Sequence, residues 1–264
     1  MKFSVVTISF NQHQYLEEAL SSVLTQDYPA IEYIVVDPGS TDGSRELIEA
    51  FRNQLASVVF EPDRGAAEGL NKGFALATGD IFGFLNSDDV LLPGTMRSVA
   101  EAFAQNPDCD IVMGNGFTID AHGKRIRRIR AAGFTLHRYF YGGATWLQQA
   151  TFFRRSAFAA VGGFNMNNRS CWDGELLVDM VRQGASIKYL DQDLALFRIH
   201  AKSITGSRRH SEMMKGDAER MFALVRGRTW TAVDTLRAYL FRIERILTHP
   251  GAAESAIRAR VLRS

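Results

Sequence analysis

Phe3-Ser4-Val5-Val6-Thr7-Ile8-Ser9-Phe10 is rich in β-branched and aromatic residues and almost unbroken in apolar character, the pattern of a strand covered on both faces. Outward from it, Tyr15, Leu16, Ala19, Leu20, Val23 and Leu24 recur at helical spacing and predict a helix over 12–26, with Pro29 just beyond. Ile31-Glu32-Tyr33-Ile34-Val35-Val36-Asp37 is a second buried strand. The turn Gly39-Ser40-Thr41-Asp42-Gly43 then leads into a helix carrying Leu47, Ile48 and Phe51. A strand over 56–60, a helix over 66–77 and a strand over 81–85 ending at Asn86 continue the alternation. This order predicts an α/β fold with a parallel, doubly wound sheet whose ligand lies beyond the C-terminal strand ends. Asp37, Asp63 and residues 86–89 fall at or just past such ends.

The second half is less regular. A helix is expected over 95–105, strand segments over 110–113, 117–119, 125–129 and 149–154, and a short helix over 156–161. A helix over 173–182 has Leu176, Leu177, Met180 and Val181 on one side, and strands follow over 186–190 and 194–199. From about residue 207 only helical patterns remain, and twelve basic against six acidic side chains give this tail +6. Tyr239, Leu240, Phe241, Ile243, Ile246 and Leu247, flanked by Arg237, Arg242 and Arg245, suit two situations. The tail either lies on an anionic membrane surface or packs on the main domain or on another subunit as a homo-oligomer.

Composition narrows the function classes. At 264 residues, 46% hydrophobic and 23% charged, the chain can bury a sizeable core, and a net charge of +2 makes no general case for nucleic acid. Cys109 and Cys171 form no C-x-x-C pattern, which argues against a thiolate zinc site and a disulfide framework and for free thiols in a reducing compartment. The first ten residues lack the apolar length and cleavage site of a signal peptide, and no run approaches the roughly 18 apolar residues of a membrane span. A cytoplasmic protein is expected, touching a membrane at most peripherally.

The chemistry centres on Phe84-Leu85-Asn86-Ser87-Asp88-Asp89, an acidic loop at the end of an apolar strand. Such carboxylates can hold Mg²⁺ or Mn²⁺ against a diphosphate, although the same residues also suit a solvated turn. Neither G-x-x-x-x-G-K-[ST] nor G-x-G-x-x-G occurs, which argues against a P-loop NTPase or a dinucleotide enzyme.

The loop belongs to an ordered set: Val5 to Asn11, Val36-Asp37-Pro38-Gly39-Ser40-Thr41-Asp42-Gly43-Ser44, Asp63-Arg64-Gly65, Asn71-Lys72-Gly73, Ala77-Thr78-Gly79-Asp80 and Leu85-Asn86-Ser87-Asp88-Asp89. Further on come Gln148-Gln149-Ala150-Thr151-Phe152-Phe153, Val161-Gly162-Gly163-Phe164 and Phe197-Arg198-Ile199-His200. Together they resemble the family-two inverting glycosyltransferases, over about residues 3–205. That resemblance implies the GT-A fold, a Rossmann-like doubly wound, mostly parallel sheet. It divides the chain into a catalytic domain over 1–206, with a nucleotide-binding half over 1–90 and an acceptor half over 91–206, and a basic helical extension over 207–264.

The resemblance also implies roles. Thr7, Ser9, Asp37, Asp63 and Arg64 would border the nucleotide, UDP being favoured. The family's D-x-D motif falls on Asn86-Ser87-Asp88, where an amide replaces the first acid, leaving Asp88 as metal ligand and Asn86 and Ser87 beside the donor. His200 would add a ligand to Mn²⁺ or Mg²⁺, and Arg198 or Lys202 would neutralise the leaving phosphate. Asp173 takes the position of the general base, with Trp172 where the family usually carries an acid. Glu175, two residues on, is a rival base or acceptor contact, because positions i and i+2 of a helix face different ways. Trp146, Gln148 and Gln149 would meet the acceptor, a glycan or lipid-linked glycan of cell-surface polysaccharide or glycolipid synthesis. Two other readings stand beside this one. They are a non-catalytic nucleotide-sugar sensor or scaffold, and a sugar nucleotidyltransferase, whose glycine-rich loop is missing after the first strand.

Overall fold

The computed structural model describes residues 1–201, 203 and 211–248. Its strands are β1 Phe3–Ile8, β2 Ile31–Val36, β3 Ser57–Val59, β4 Ile81–Asn86, β5 Val90–Leu91, β6 Ile111–Ile119, β7 Arg125–Ile129, β8 Thr151–Arg154 and β9 Ile187–Arg198. The helices are α1 His13–Leu24, α2 Ser44–Ala50, α3 Ala66–Leu76, α4 Thr95–Gln105, α5 Leu136–Phe140, α6 Arg155–Ala160 and α7 Trp172–Arg182. Two more, α8 Ser211–Arg226 and α9 Ala232–Thr248, follow the last strand.

All strands form one sheet in the order β3-β2-β1-β4-β8-β6-β9-β5, with β7 on β6. β3, β2, β1 and β4 are parallel, as is the long β6–β9 ladder. β8 enters antiparallel between β4 and β6, so the sheet is mixed, with its parallel half at the N-terminal end. The continuous apolar strands are explained by two separate cores. Phe3, Val5, Tyr33, Val35 and Leu85 pack with α1, α2 and α4 on one face. Val6, Ile34, Val36, Phe82 and Phe84 pack with α3 and α7 on the other. Each fully buried side chain of this size contributes roughly 1.5–3 kcal/mol of burial free energy.

Two expected pairs of short strands are single strands. Residues 110–113 and 117–119 belong to β6, because Gly114 and Gly116 admit close approach by β9 and do not break the strand. A Cβ at Gly116 would stand 2.2 Å from the Ala195 carbonyl oxygen. Likewise, 186–190 and 194–199 join in β9 across a register shift opposite Gly114–Gly116. The expected strand over 149–154 begins instead as a 3-10 turn, Gln148–Ala150, where the Gln148 amide donates to the Phe84 carbonyl of β4 and the Gln149 amide to the Asp89 carboxylate. β5 and α5 are too short to show a period in the sequence.

The tail helices pack on α5 and the turn after it. Phe222 is buried against Phe140 and Trp230, and Phe241 stacks on Tyr141 at 5.9 Å. The Tyr141 hydroxyl donates to the fully enclosed Asp234 carboxylate at 2.6 Å, and Arg228 holds the same carboxylate. Among the described residues no helix is long and apolar enough to cross a membrane.

Candidate active site

A cleft of about 840 Å³ opens at the C-terminal ends of β1 and β4. Its walls include Ile8 at the end of β1 with Ser9 and Phe10, Pro38 after β2, Asp63 after β3, and Asn86 at the end of β4 with Ser87 and Asp88. Trp146 to Gln149, held beside the 86–89 loop by the Gln148 and Gln149 bonds, and Trp172 with Asp173 at the start of α7 complete the lining.

The 86–89 loop is pinned from every direction. Asn86 lies opposite Ile8 in the β1–β4 ladder, the Ser87 N–H donates to the Ile8 carbonyl, and the Asp89 N–H donates to the Asn86 carbonyl. Asp89 is buried and accepts from the Arg198 N–H at 2.8 Å, the Gln149 amide at 2.6 Å and the Asn86 amide at 3.1 Å. Burial and the adjacent Asp88 charge push its carboxyl well above the usual range. Asp88 alone of the two acids reaches the cleft, with His200 Nε2 2.9 Å from its Oδ2. The His200 ring is buried and lies 4.8 Å from the Tyr15 ring of α1.

Among the described residues no group of three or more His, Cys, Asp or Glu side chains stands together as a complete metal site. Asp88 and His200 supply one carboxylate oxygen and one imidazole nitrogen. That set fits a hard or borderline divalent ion which takes its other ligands from a diphosphate and water.

Asp173 occupies the first turn of α7 and is partly exposed at the cleft. Burial pushes its carboxyl up, an effect partly offset by the Gly174 and Asp173 N–H groups. Tyr139 fixes the start of the helix, since a Cβ at Gly174 would fall 2.1 Å from its hydroxyl. Glu175 turns the other way. Its carboxylate takes two bonds from Arg220, both 2.7 Å, and accepts from the Asn165 and Asn168 amides, tying α8 and the 165–171 loop to α7. Glu175 is thus only 3% exposed and does not line the cleft, which corrects its reading as an acceptor contact.

Several expected donor contacts also stand elsewhere. Thr7 is buried in the sheet with its hydroxyl 2.8 Å from that of Tyr33. Asp37 is fully buried beneath its own turn, accepting from Gly39, Ser40 and Arg45, so that only its neighbour Pro38 faces the cleft. Arg64 pairs with Glu68 at 2.6 Å on the surface. Arg198 is 2% exposed, and its guanidinium donates to the Asp88 carbonyl, the Asp120 carbonyl and the Glu18 carboxylate while lying over the Tyr15 ring. It braces the loop from below and is not positioned to meet a phosphate. Lys202 lies outside the described residues.

The brace formed by Arg198, Glu18, Tyr15 and Asp89 was not anticipated. Its only sequence signals are a second acid after Asp88 and an arginine two residues before His200, both open to other readings. Arg198→Lys should lower stability by about 2 kcal/mol in urea unfolding, because an ammonium cannot serve both buried carbonyls and Glu18. An unchanged midpoint would show that the brace is dispensable.

Asp63 Oδ1 accepts from the Gly65 N–H at 2.9 Å, and burial raises this carboxyl. Gly69 on α3 makes room for it, since a Cβ there would sit 2.7 Å from Oδ2. Two buried donors in the cleft walls, Ser9 Oγ and Trp172 Nε1, have no protein partner. Orphaned buried donors at a concave site are filled by water or ligand.

The sequence matches the glycosyl transferase family 2 over residues 4–162. A glycosyltransferase of Nostoc sp. whose role is uncharacterized is 31% identical over 211 residues, covering 76% of this chain, and the chain spans 65% of that relative's length. Two solved structures share the fold. Staphylococcus aureus TarS in complex with UDP-GlcNAc has a TM-score of 0.66 at 21% identity, covering 94% of this chain and 73% of TarS. The mannosyltransferase PcManGT of Pyrobaculum calidifontis, in complex with GDP-Man and Mn²⁺, also has a TM-score of 0.66, at 19% identity, covering 98% of this chain and 75% of PcManGT. With a family match across more than half its length and a fold shared with these enzymes, the chain belongs to glycosyl transferase family 2.

Proposed function

We propose that the chain transfers a sugar from a nucleoside diphosphate donor, a UDP-sugar in the first instance, to an acceptor hydroxyl with inversion at the anomeric carbon. The observation that carries this reading is that Asp88 and Asp173 line one cleft bounded by β-strand ends, with the buried His200 bonded to Asp88 behind it. Asp173 removes the acceptor proton, and the oxygen attacks the anomeric carbon from the side opposite the nucleotide. The nucleoside diphosphate leaves in the same step, so no bond to the protein forms. Asp88 and His200 would hold Mn²⁺ or Mg²⁺, which when bound neutralises charge on the departing diphosphate. Asp63, which lines the cleft together with Phe10 and Pro38, would accept from a ring N–H of the base, as uracil or guanine offers.

The relatives support a polysaccharide or glycolipid setting only by name. A PGL/p-HBAD biosynthesis glycosyltransferase of Mycobacterium bovis is 29% identical over 178 residues. The catalytic unit is residues 1–206, working in the cytoplasm on a glycan or lipid-linked glycan. A binding-only sensor would need neither a base nor a metal ligand, and both acids reach this cleft. A thermal-shift screen of UDP-, GDP- and dTDP-sugars with and without Mn²⁺ tests the reading. A cognate donor at about a hundred times its Kd stabilises by about 2.7 kcal/mol, several degrees of Tm. If no nucleotide sugar shifts the transition under any metal condition, donor binding is wrong.

Trp172 is assigned to the acceptor side, with its indole N–H donating to a substrate oxygen. Trp172→Phe keeps the ring and deletes that donor, and should raise the acceptor KM by about tenfold with little change in donor affinity. An unaltered KM would return Trp172 to a packing role.

A further inference from the structure

α9 buries one side and leaves the other bare. Asp234 is enclosed and Phe241 stacks on Tyr141, while Val233, Leu236, Leu240, Ile243 and Leu247 are 39% to 75% exposed. Their alternating spacing of three and four places them on one stripe, and exposed Tyr239 and Ile246 widen it to an arc of about 140° at 3.6 residues per turn. Single exposed apolar residues are ordinary, but a continuous stripe of this kind marks an interaction surface.

Charge selects the partner. Arg237 and Arg242 border the stripe on either side and both are exposed. The two acids of α9 are both paired. Asp234 is enclosed and taken by Tyr141 and Arg228, with Arg237 3.8 Å away, while Glu244, 44% exposed at the edge of the stripe, pairs with Arg138 at 2.9 Å. Arg138, Arg228, Arg237 and Arg242 outnumber these two acids, so a second copy docking here would bring net positive charge against net positive charge, whereas anionic headgroups complement it. The arc is also broader than the narrow seam of a paired helix and matches a helix lying in a bilayer interface.

The helix stands close to the cleft through its buried side. Phe241 presses on Gly143, where a Cβ would come within 2.7 Å of its ring, and Gly143 is three residues before the cleft-lining Trp146. We propose that α9 lies on an anionic bilayer surface through this stripe and that the cleft therefore serves acceptors carried in the membrane. The choice of acceptor rests on the transfer reaction proposed above, whereas the surface contact does not.

The full chain is to be sedimented with vesicles of phosphatidylcholine alone and of phosphatidylcholine with phosphatidylglycerol in equal parts. It should bind the anionic vesicles at least about tenfold more tightly, and added salt should weaken that binding. Leu236→Asp with Leu240→Asp should abolish sedimentation. Arg237→Gln with Arg242→Gln should weaken it by about twenty-five-fold, each arginine counting for roughly fivefold. Circular dichroism and Tm must match the parent for these exposed positions to report on docking. If the parent stays in the supernatant with both vesicles, or binds both equally with the arginine variant unaffected, the proposal is overturned. It is equally overturned if light scattering finds a dimer that Leu240→Asp separates while vesicles bind nothing. Nucleotide-induced Tm shifts read on the same samples separate the two ideas. Vesicle binding without any donor shift removes the transfer reaction and keeps the membrane contact, and the reverse result does the opposite.

Discussion

Asp173→Asn is expected to lower kcat by about a thousandfold while donor affinity stays within about twofold. The substitution preserves shape and removes only the ability to take a proton. The residue lines the cleft from α7, an element separate from the 86–88 loop, so the contacts proposed for that loop should be kept. The pH profile gives a second readout. Burial raises the Asp173 carboxyl, so it gains its proton at a higher pH than an exposed aspartate would. A base acts only when deprotonated, so activity is present above that pKa and lost as pH falls through it. The acid limb should therefore lie above the usual value of about 4.

Glu175→Gln is the control that separates the two acids of this helix. Its carboxylate is held low by Arg220, Asn165 and Asn168 against the opposing effect of burial. The variant should lose about 2 kcal/mol of stability, a figure reduced for the 39% exposure of Arg220, yet keep kcat within a few-fold. Because the folded pKa is depressed, that stability is present above the unfolded value of about 4.3 and disappears as pH falls through the folded one. If Glu175→Gln removed as much transfer as Asp173→Asn, the assignment of the base would have to be exchanged.

The fold was legible because burial on both sheet faces leaves an unbroken apolar run that few other structures need. Phe3 and Val5 meet one core and Val6 the other, so β1 is recognisable without knowing any partner. The same alternation places Thr7 with Phe3 and Val5, inside the sheet beside Tyr33 and away from the cleft. Arg198 was illegible for a different reason. An arginine beside a strand end suits a phosphate, and only the fold brings Glu18 to it from 180 positions away. Asp37 shows the same limit, for a strand-end carboxylate can serve its own turn as readily as a ligand. Asp88 and Asp173 differ from these because both border the cleft.

Asp88→Ala should erase the metal dependence of donor binding and lower kcat/KM by at least about a hundredfold. Asp88 is the only carboxylate of the 86–89 loop that reaches the cleft, and His200 Nε2 lies 2.9 Å from it, so one substitution dismantles the two-residue donor set. Calorimetry with a UDP-sugar, with and without Mn²⁺, measures this directly. The parent should bind more tightly with the ion, and the variant should give equal affinities in both. Asp89→Asn makes the opposite demand on the structure. Asp89 is enclosed and holds the Arg198 N–H and two side-chain amides, so an amide in its place sets donor against donor. That variant should lower Tm more than Asp88→Ala, which removes only the side-chain bond to His200. Mn²⁺-dependent affinity surviving in Asp88→Ala would move the ion away from this loop, and with it the reason for placing the diphosphate between β4 and His200.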